Sequence, residues 1–219
     1  MQEDHSGSVV PLRFTVPDGL TELDLHGDPD ERVQRTYEAL RGASPAGEQE
    51  VVRMVVTQEA MLARLLQEGA VYAAMCLARS EVDPAQLVTA QFSVLVKAQE
   101  LHGQYPLRDV SRGLRSPGEP REVVLNEFPA GEALVIGEEV RVGLGNESGD
   151  STDGGARVVR QAQVVFAFPG NERIAILTLA SEHLDDWPYF VAMLDSIAHS
   201  VSFSNGETSS IADRLSGAL

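Results

Sequence analysis

Hydrophobic residues in the first third of the chain recur mainly at helical spacing. After a short strand predicted at residues 9–17, the pattern indicates two amphipathic helices, at residues 29–41 and 47–67. The first helix has a clear beginning, because Asp28 can cap it and Pro29 suits its first turn. The first third of the chain therefore predicts one strand followed by two helices.

Beyond residue 69 the hydrophobic period shortens to about two residues, which is typical of half-buried strands. Short segments with turn residues separate neighbouring strands, so we predict three antiparallel pairs: residues 69–82 with 86–98, 121–128 with 132–144, and 156–169 with 173–181. The strand at 86–98 alternates most regularly. Its predicted inward positions are Val88, Ala90, Phe92, Val94 and Val96, and its outward positions are Thr89, Gln91 and Ser93.

The clearest amphipathic helix is predicted at residues 185–200, after the last strand. Asp185 or Asp186 can cap its first turn. On its polar face, Asp195 and His199 are four residues apart and can interact. Its predicted apolar stripe consists of Trp187, Phe190, Val191, Leu194, Ile197, Ala198 and Val201.

These elements predict one α+β domain over residues 9–203. Its centre is a single twisted antiparallel sheet of about six or seven strands, with the helices packed on it and a short helix within 105–120. Residues 1–8 are predicted to be a mobile N-terminus, and residues 204–219 a flexible tail. The alternative for the tail is a short amphipathic helix, whose candidate partner-binding residues are Ile211, Leu215 and Leu219.

The charge of the chain narrows the classes of function. It has 33 acidic and 17 basic residues, with a net charge of −16. Such a field repels phosphate backbones and anionic membrane surfaces, so we expect no nucleic-acid partner. No apolar run approaches the roughly 20 residues of a membrane span, and the first residues do not resemble a signal peptide. Together with a single cysteine, Cys76, these features predict a cytoplasmic protein.

A few side chains are weak candidates for chemistry. They are Glu182, His183, Asp185 and Asp186 as a metal cluster, Asp150 and Asp153 as calcium ligands, Cys76 as a thiol and Glu59 as a buried acid. Simpler explanations are helix capping, a polar hairpin tip, an inert core thiol and a charge at the edge of a helix stripe. Glu138 and Glu139 are predicted to point to opposite faces of a strand. Since nucleotide-binding and nucleophile motifs are also missing, we expect no enzyme, cofactor or metal.

The order of elements resembles that of the PsbP-like superfamily. The resemblance covers mainly residues 121–203, where the strand "RIAILTLASE" is followed by the helix "DDWPYFVAMLDSIAHSVSF", and it includes Ile197, Ser200, Val201 and Phe203. It implies a last helix that closes over the sheet, and mostly non-catalytic roles. Members include an accessory subunit of photosystem II, a nuclear-import factor that binds a small GTPase, bacterial lipoproteins and chaperones of secreted toxins.

We therefore expect a non-enzymatic protein-binding module, an adaptor or chaperone-like protein, which the resemblance links to secretion or toxin systems. The composition resembles that of proteins from high-GC bacteria. Open sheet edges would also permit a homodimer. Two alternatives stay open: a structural subunit of a larger assembly, and a small-molecule binder or enzyme. The latter would have its pocket between sheet and helices, beside the small residues Ala70, Ala73, Ala74 and Ala78.

Overall fold

The computed structural model describes residues 12–43, 47–103, 106–115, 121–142 and 157–203, which form four helices and nine strands. The helices are α1 (Pro29–Ala43), α2 (Glu48–Gln67), α3 (Pro106–Leu114) and α4 (Trp187–Ser200). The strands are β1 (Leu12–Arg13), β2 (Leu20–Glu22), β3 (Ala70–Arg79), β4 (Leu87–Ala98), β5 (Arg121–Phe128), β6 (Gly131–Val142), β7 (Arg157–Ala167), β8 (Arg173–Ser181) and β9 (Ser202–Phe203).

Seven of these strands form one antiparallel sheet in the order β2-β3-β4-β8-β7-β6-β5. The three predicted hairpins, β3–β4, β5–β6 and β7–β8, are all present in it. The predicted α+β class and strand number are therefore confirmed. Within the part of the chain that the structure describes, no helix is long and apolar enough to cross a membrane.

The first predicted strand is wrong in its length and its place. Of residues 9–17, only Leu12 and Arg13 are described in a strand, and they pair with β9 in a separate two-stranded ladder. The sheet instead gains β2, whose three residues pair with β3. The three residues of β2 are too few for an alternating pattern to reveal the strand. The pairing of β1 is not predictable from local sequence, because its partner β9 lies almost two hundred residues away.

One face of the sheet, here called the closed face, is covered by α4. The five predicted inward positions of β4 all face this core, although Val96 is only partly buried. Within α4 the predicted stripe is wrong at Val191, which is exposed, while Met193 is buried instead. The largest fully buried side chains of this core are Phe92, Phe166, Phe190, Leu177, Leu179 and Ile197. Burial of these aromatic and aliphatic groups is the main source of stability on this side.

The opposite face, here called the second face, carries two smaller clusters. Under α2, Leu62 packs with Ala70, Ala73 and Leu95, where the two alanines leave room for the helix. Under α3, Leu114 packs against a cluster of Val123, Leu134, Ile136 and Val165. Among the outward positions of β4, Ser93 is buried in spite of the prediction, whereas Thr89 and Gln91 are half-buried.

An ion pair fastens α1 to α2. The guanidinium of Arg32 donates to both carboxylate oxygens of Glu59, from Nη2 at 2.6 Å and from Nε at 2.8 Å, and to the carbonyl of Asp24 at 2.9 Å. The hydrogen bond to Glu59 raises the pKa of Arg32. Glu59 therefore links two helices, in agreement with its predicted place at the edge of the α2 stripe.

Candidate functional site

Beyond α2 and α3, none of the residues that the structure describes covers the second face where β3, β4, β7 and β8 run toward the β3–β4 turn. Leu77 lies opposite Thr89 on β4, and Met75 lies opposite Gln91, which in turn opposes Ala180 of β8. We call this region the open patch and define it as Met75, Leu77, Leu87, Thr89, Gln91, Val159 and Ala180. Its backbone is part of the central sheet, so the side chains stand on a rigid support.

A cleft of about 250 Å³ lies in the open patch. Ala180 lines it and is paired with Gln91 on one neighbouring strand and with Gln161 on the other. The small side chain of Ala180 leaves space between those two strands. The cleft is lined mainly by apolar and uncharged groups, and also by Glu182.

Three large apolar side chains of the β3–β4 hairpin, here called the rim, are exposed to solvent. The exposed fractions are 62% for Leu77, 55% for Leu87 and 67% for Val82 in the β3–β4 turn. Leu77 and Leu87 are diagonal neighbours on the same face, because their partners across the pair are Thr89 and Arg79. Exposed acidic residues, Glu81 and Asp83, stand on both sides of Val82. The rim is therefore apolar with acidic neighbours.

Buried hydrogen bonds fix the turn that carries Val82 to the beginning of α4. The hydroxyl of Ser80 donates to the carboxylate of Asp186 at 2.8 Å, and the backbone N–H of Glu81 donates to the same carboxylate at 2.8 Å. In turn, Ser80 Oγ accepts from the N–H groups of Val82 and Asp83. Asp186 holds the predicted N-cap position, but its side chain bonds the turn rather than the helix. The turn, and with it the backbone of Val82, is thus held in a defined position.

The side chains considered as a candidate metal cluster at the beginning of α4 have other partners. Glu182 pairs with Arg157 at 2.9 Å, His183 Nε2 lies 3.5 Å from the hydroxyl of Thr89, and Asp186 binds the turn. Among the described residues, no three His, Cys, Asp or Glu side chains converge in a way that would hold a metal ion. The weak calcium-ligand candidates Asp150 and Asp153 lie outside the described residues, as do residues 1–8 and the tail residues Ile211, Leu215 and Leu219.

A second, larger cleft of about 580 Å³ lies beside Trp187, at the beginning of α4. The guanidinium of Arg160 lies over the indole ring at 5.8 Å from its centroid and also pairs with Glu139. On the neighbouring side, Arg121 pairs with Glu138 at 2.9 Å. Glu138 and Glu139 thus bind different arginines, as expected for side chains on opposite faces. The cleft is lined by Arg121, Glu122, Gly137, Glu138, Glu139, Arg160 and Trp187.

The remaining candidates belong to the core. Cys76 has no exposed surface, and burial raises the pKa of its thiol, so it stays protonated at neutral pH. Burial likewise raises the pKa of Tyr189. The small residues expected to border a pocket are mostly packed into the core, since Ala73 and Ala74 have no exposed surface. Both clefts described above are lined by other residues.

No family model, curated protein or solved structure matches the chain. The relationship to the PsbP-like superfamily therefore stays a prediction. The open patch is not among the sites predicted from the sequence, although a signal for it is present. The outward positions of the β3–β4 pair include two leucines, Leu77 and Leu87, where the exposed face of a sheet normally carries polar residues.

Proposed function

We propose that the protein is a non-enzymatic protein-binding module, an adaptor or chaperone-like protein, whose open patch holds an apolar, basic segment of another protein. The observation that carries this proposal is the rim of Leu77, Val82 and Leu87, each more than half exposed on a fixed support. A bacterial, cytoplasmic location and a PsbP-like relationship belong to the same proposal. The single cysteine, which cannot form an internal disulfide, supports the location, the composition supports the bacterial origin, and the order of elements in residues 121–203 supports the relationship.

The apolar rim supplies the free energy of binding. Full burial of one leucine or valine side chain is worth about 1.5–3 kcal/mol, so covering the exposed half of three such groups gives on the order of 3 kcal/mol. The adjacent cleft adds a place for one further side chain of the partner. Since the turn is already ordered by Asp186, little conformational entropy is lost at this surface on binding.

The negative charge of the chain favours a partner segment that is basic. Glu81 and Asp83 border the rim, and the whole chain carries a net charge of −16. A segment with lysine or arginine beside its apolar residues would be attracted at long range and discriminated from acidic segments at contact. This supports a basic, apolar segment as the bound element.

A peptide selection tests the proposal and needs no candidate partner. Random 15-residue peptides displayed on phage are selected on the wild-type protein, and the enriched sequences are expected to combine apolar and basic residues. Their affinity should fall at least tenfold in the double variant L77S/L87S. The matched control is Val56→Ser on α2, because Val56 is also 62% exposed and lies outside the patch. Equal binding to wild type and L77S/L87S, or enrichment of acidic peptides, would contradict the proposal.

The cleft beside Trp187 supports a second candidate function, the binding of a small cationic molecule. Among the described residues, Glu122 has no ion-pair partner, and it lines this cleft together with the aromatic ring. Trp187 is the only tryptophan, so its fluorescence reports on the cleft directly. Titration with guanidinium and alkylammonium compounds should shift the emission of wild type at millimolar concentrations or below, but not that of Glu122→Gln. No shift in wild type would exclude this candidate.

A further inference from the structure

One edge of the seven-stranded sheet is long and regular. It is formed by the eight residues of β5, whereas the opposite edge is formed by the three residues of β2. A long edge strand exposes a row of backbone donors and acceptors that can pair with another strand. The residues of β5 are separate from the open patch, so a partner of this edge would leave the patch free.

Alternate residues of β5 direct their backbone groups away from the sheet. Phe128 lies opposite Gly131 across a two-residue turn, and residues paired at such a turn exchange both hydrogen bonds. The residues whose backbone N–H and C=O groups point away from the sheet are therefore Arg121, Val123, Leu125 and Glu127. A side-chain contact agrees with this assignment, because the guanidinium of Arg115 donates to the carbonyl of Val123 at 2.9 Å.

We propose that β5 pairs with β5 of a second copy of this chain, antiparallel and with its register centred on Val124. The result is a homodimer in which the two sheets become continuous. In a two-fold arrangement, Arg121 lies opposite Glu127 of the second copy, and Val123 lies opposite its Leu125. Two-fold symmetry makes each of these pairs occur twice. The pairs join opposite charges and place apolar side chains opposite apolar ones.

The neighbouring registers place charged or polar side chains opposite apolar ones. In an antiparallel pair, residues whose backbone groups point away from their own sheet must lie opposite residues of the same kind on the second copy. The two-fold axis can therefore pass through one residue of β5 or the next, but not between two residues. A register centred on Leu125 places Glu127 opposite Val123 and Asn126 opposite Val124. A register centred on Val123 places Glu122 opposite Val124. Only the register centred on Val124 gives a matched partner to every residue from 121 to 127, with Glu122 opposite Asn126.

Val124 is the natural centre of this interface. Its side chain is 52% exposed on an edge strand, beside the half-buried Val135 of β6. Because Val124 bonds to β6, it would meet its own copy in a non-hydrogen-bonded pair, in which side chains come closest. Pairing would cover two valines that are otherwise in water.

Arg115 keeps this association reversible. Its guanidinium occupies the Val123 carbonyl that the second copy needs, so it must withdraw before the strands can pair. The residue is exposed, and its charge returns to water when it withdraws. Arg121 already bonds Glu138, but a guanidinium has five donors and can also meet Glu127 of the second copy.

Two opposite charges at position 124 test both the dimer and its register. Wild type is expected to show twice the mass of one chain by light scattering, in a concentration-dependent manner. The variants V124K and V124E should each associate at least tenfold more weakly, since each places two like charges on the symmetry axis. An equimolar mixture should recover a heterodimer by native mass spectrometry. The matched control is Val56→Lys, at an exposed valine of α2, which should dimerise like wild type.

Three results would overturn the proposal: a monomeric wild type at high micromolar concentration, a V124K variant that stays dimeric, or a mixture that does not recover the dimer. If the position-124 variants fail to fold, Glu127→Arg decides instead. Within one chain Glu127 lies opposite Glu132, which also pairs with Arg108 at 2.9 Å, so the introduced guanidinium keeps a carboxylate as its neighbour and should leave the melting temperature nearly unchanged. It should nevertheless give a monomer, because the introduced guanidinium would oppose Arg121 of the second copy. A dimeric E127R variant would reject the register.

Discussion

The two faces of the sheet differ in how completely the helices cover them. On the closed face, α4 covers a continuous core of phenylalanine, leucine and isoleucine. On the second face, α2 and α3 cover separate smaller clusters and leave the open patch in solvent. The comparison indicates that stability is concentrated on the closed face, while the second face keeps large apolar side chains exposed.

The difference follows from the residues at alternate strand positions. A polar row crosses the second face, in which Gln91, Gln161 and Glu138 lie on three of the central strands. Gln161 donates to Glu138, which also pairs with Arg121, but an apolar helix over this row would take their remaining donors and acceptors and those of Gln91 out of water without new partners, which costs free energy. The helices pack on the apolar clusters elsewhere on this face, and the described residues leave Leu77 and Leu87 exposed.

The largest effect is expected for Phe190→Ala on the closed face. Phe190 is fully buried between α4 and the sheet, so the change should lower the free energy of unfolding by about 3–5 kcal/mol. Val191→Ala is the matched control on the same helix, because Val191 is 40% exposed, and it should cost less than about 1 kcal/mol. Urea unfolding measures both. Similar losses for the two variants would mean that the closed face does not dominate stability.

Asp186→Ala should have the next largest effect, because Asp186 joins the closed face to the rim of the open patch. The change removes the acceptor of Ser80 and of the Glu81 N–H in a buried setting, so we expect a loss of about 2–3 kcal/mol. Asp185→Ala is the control, since Asp185 is exposed, and should cost at most about 0.5 kcal/mol. Equal melting temperatures of the two variants would show that the turn is not held by this carboxylate.

Trp187→Ala should have an intermediate effect. A fully buried tryptophan would cost about 3–5 kcal/mol, but Trp187 is only half-buried and lies under Arg160 at the edge of the closed face. We therefore expect a loss of about 1–2 kcal/mol, measured by circular dichroism because the variant has no tryptophan fluorescence. A loss as large as that of Phe190→Ala would show that the second cleft is closed in solution.

Local patterns in the sequence are enough to predict most strands of the sheet. The period of two in β4 places Phe92 and Val94 on one face and Thr89 and Gln91 on the other, because this alternation is a property of the strand alone. The beginning of α4 is likewise predictable from Asp186. Its bonding partner Ser80 is not, since the two residues are 106 positions apart and only the fold brings them together.

Long-range packing also explains why the open patch could not be predicted. The sequence indicates that α2 is amphipathic, but not which part of the sheet it covers. In the structure, α2 lies over Ala70 and Ala73 because these small residues admit it, and it leaves the other end of β3 free. The tail residues Ile211, Leu215 and Leu219, proposed from the sequence as a partner surface, lie outside the described residues and stay a prediction.

The smallest effect on stability is expected for the double variant L77A/L87A in the open patch. Both leucines are more than half exposed, so removing them costs little burial and should change the free energy of unfolding by less than about 1 kcal/mol. The same variant should lose most of its affinity for selected apolar, basic peptides, because these side chains supply the contact surface. The combination of unchanged stability and lost binding is what separates a recognition surface from a core. A loss of stability near that of Phe190→Ala would mean that another part of the chain already covers the patch, and the contrast between the two faces would then disappear.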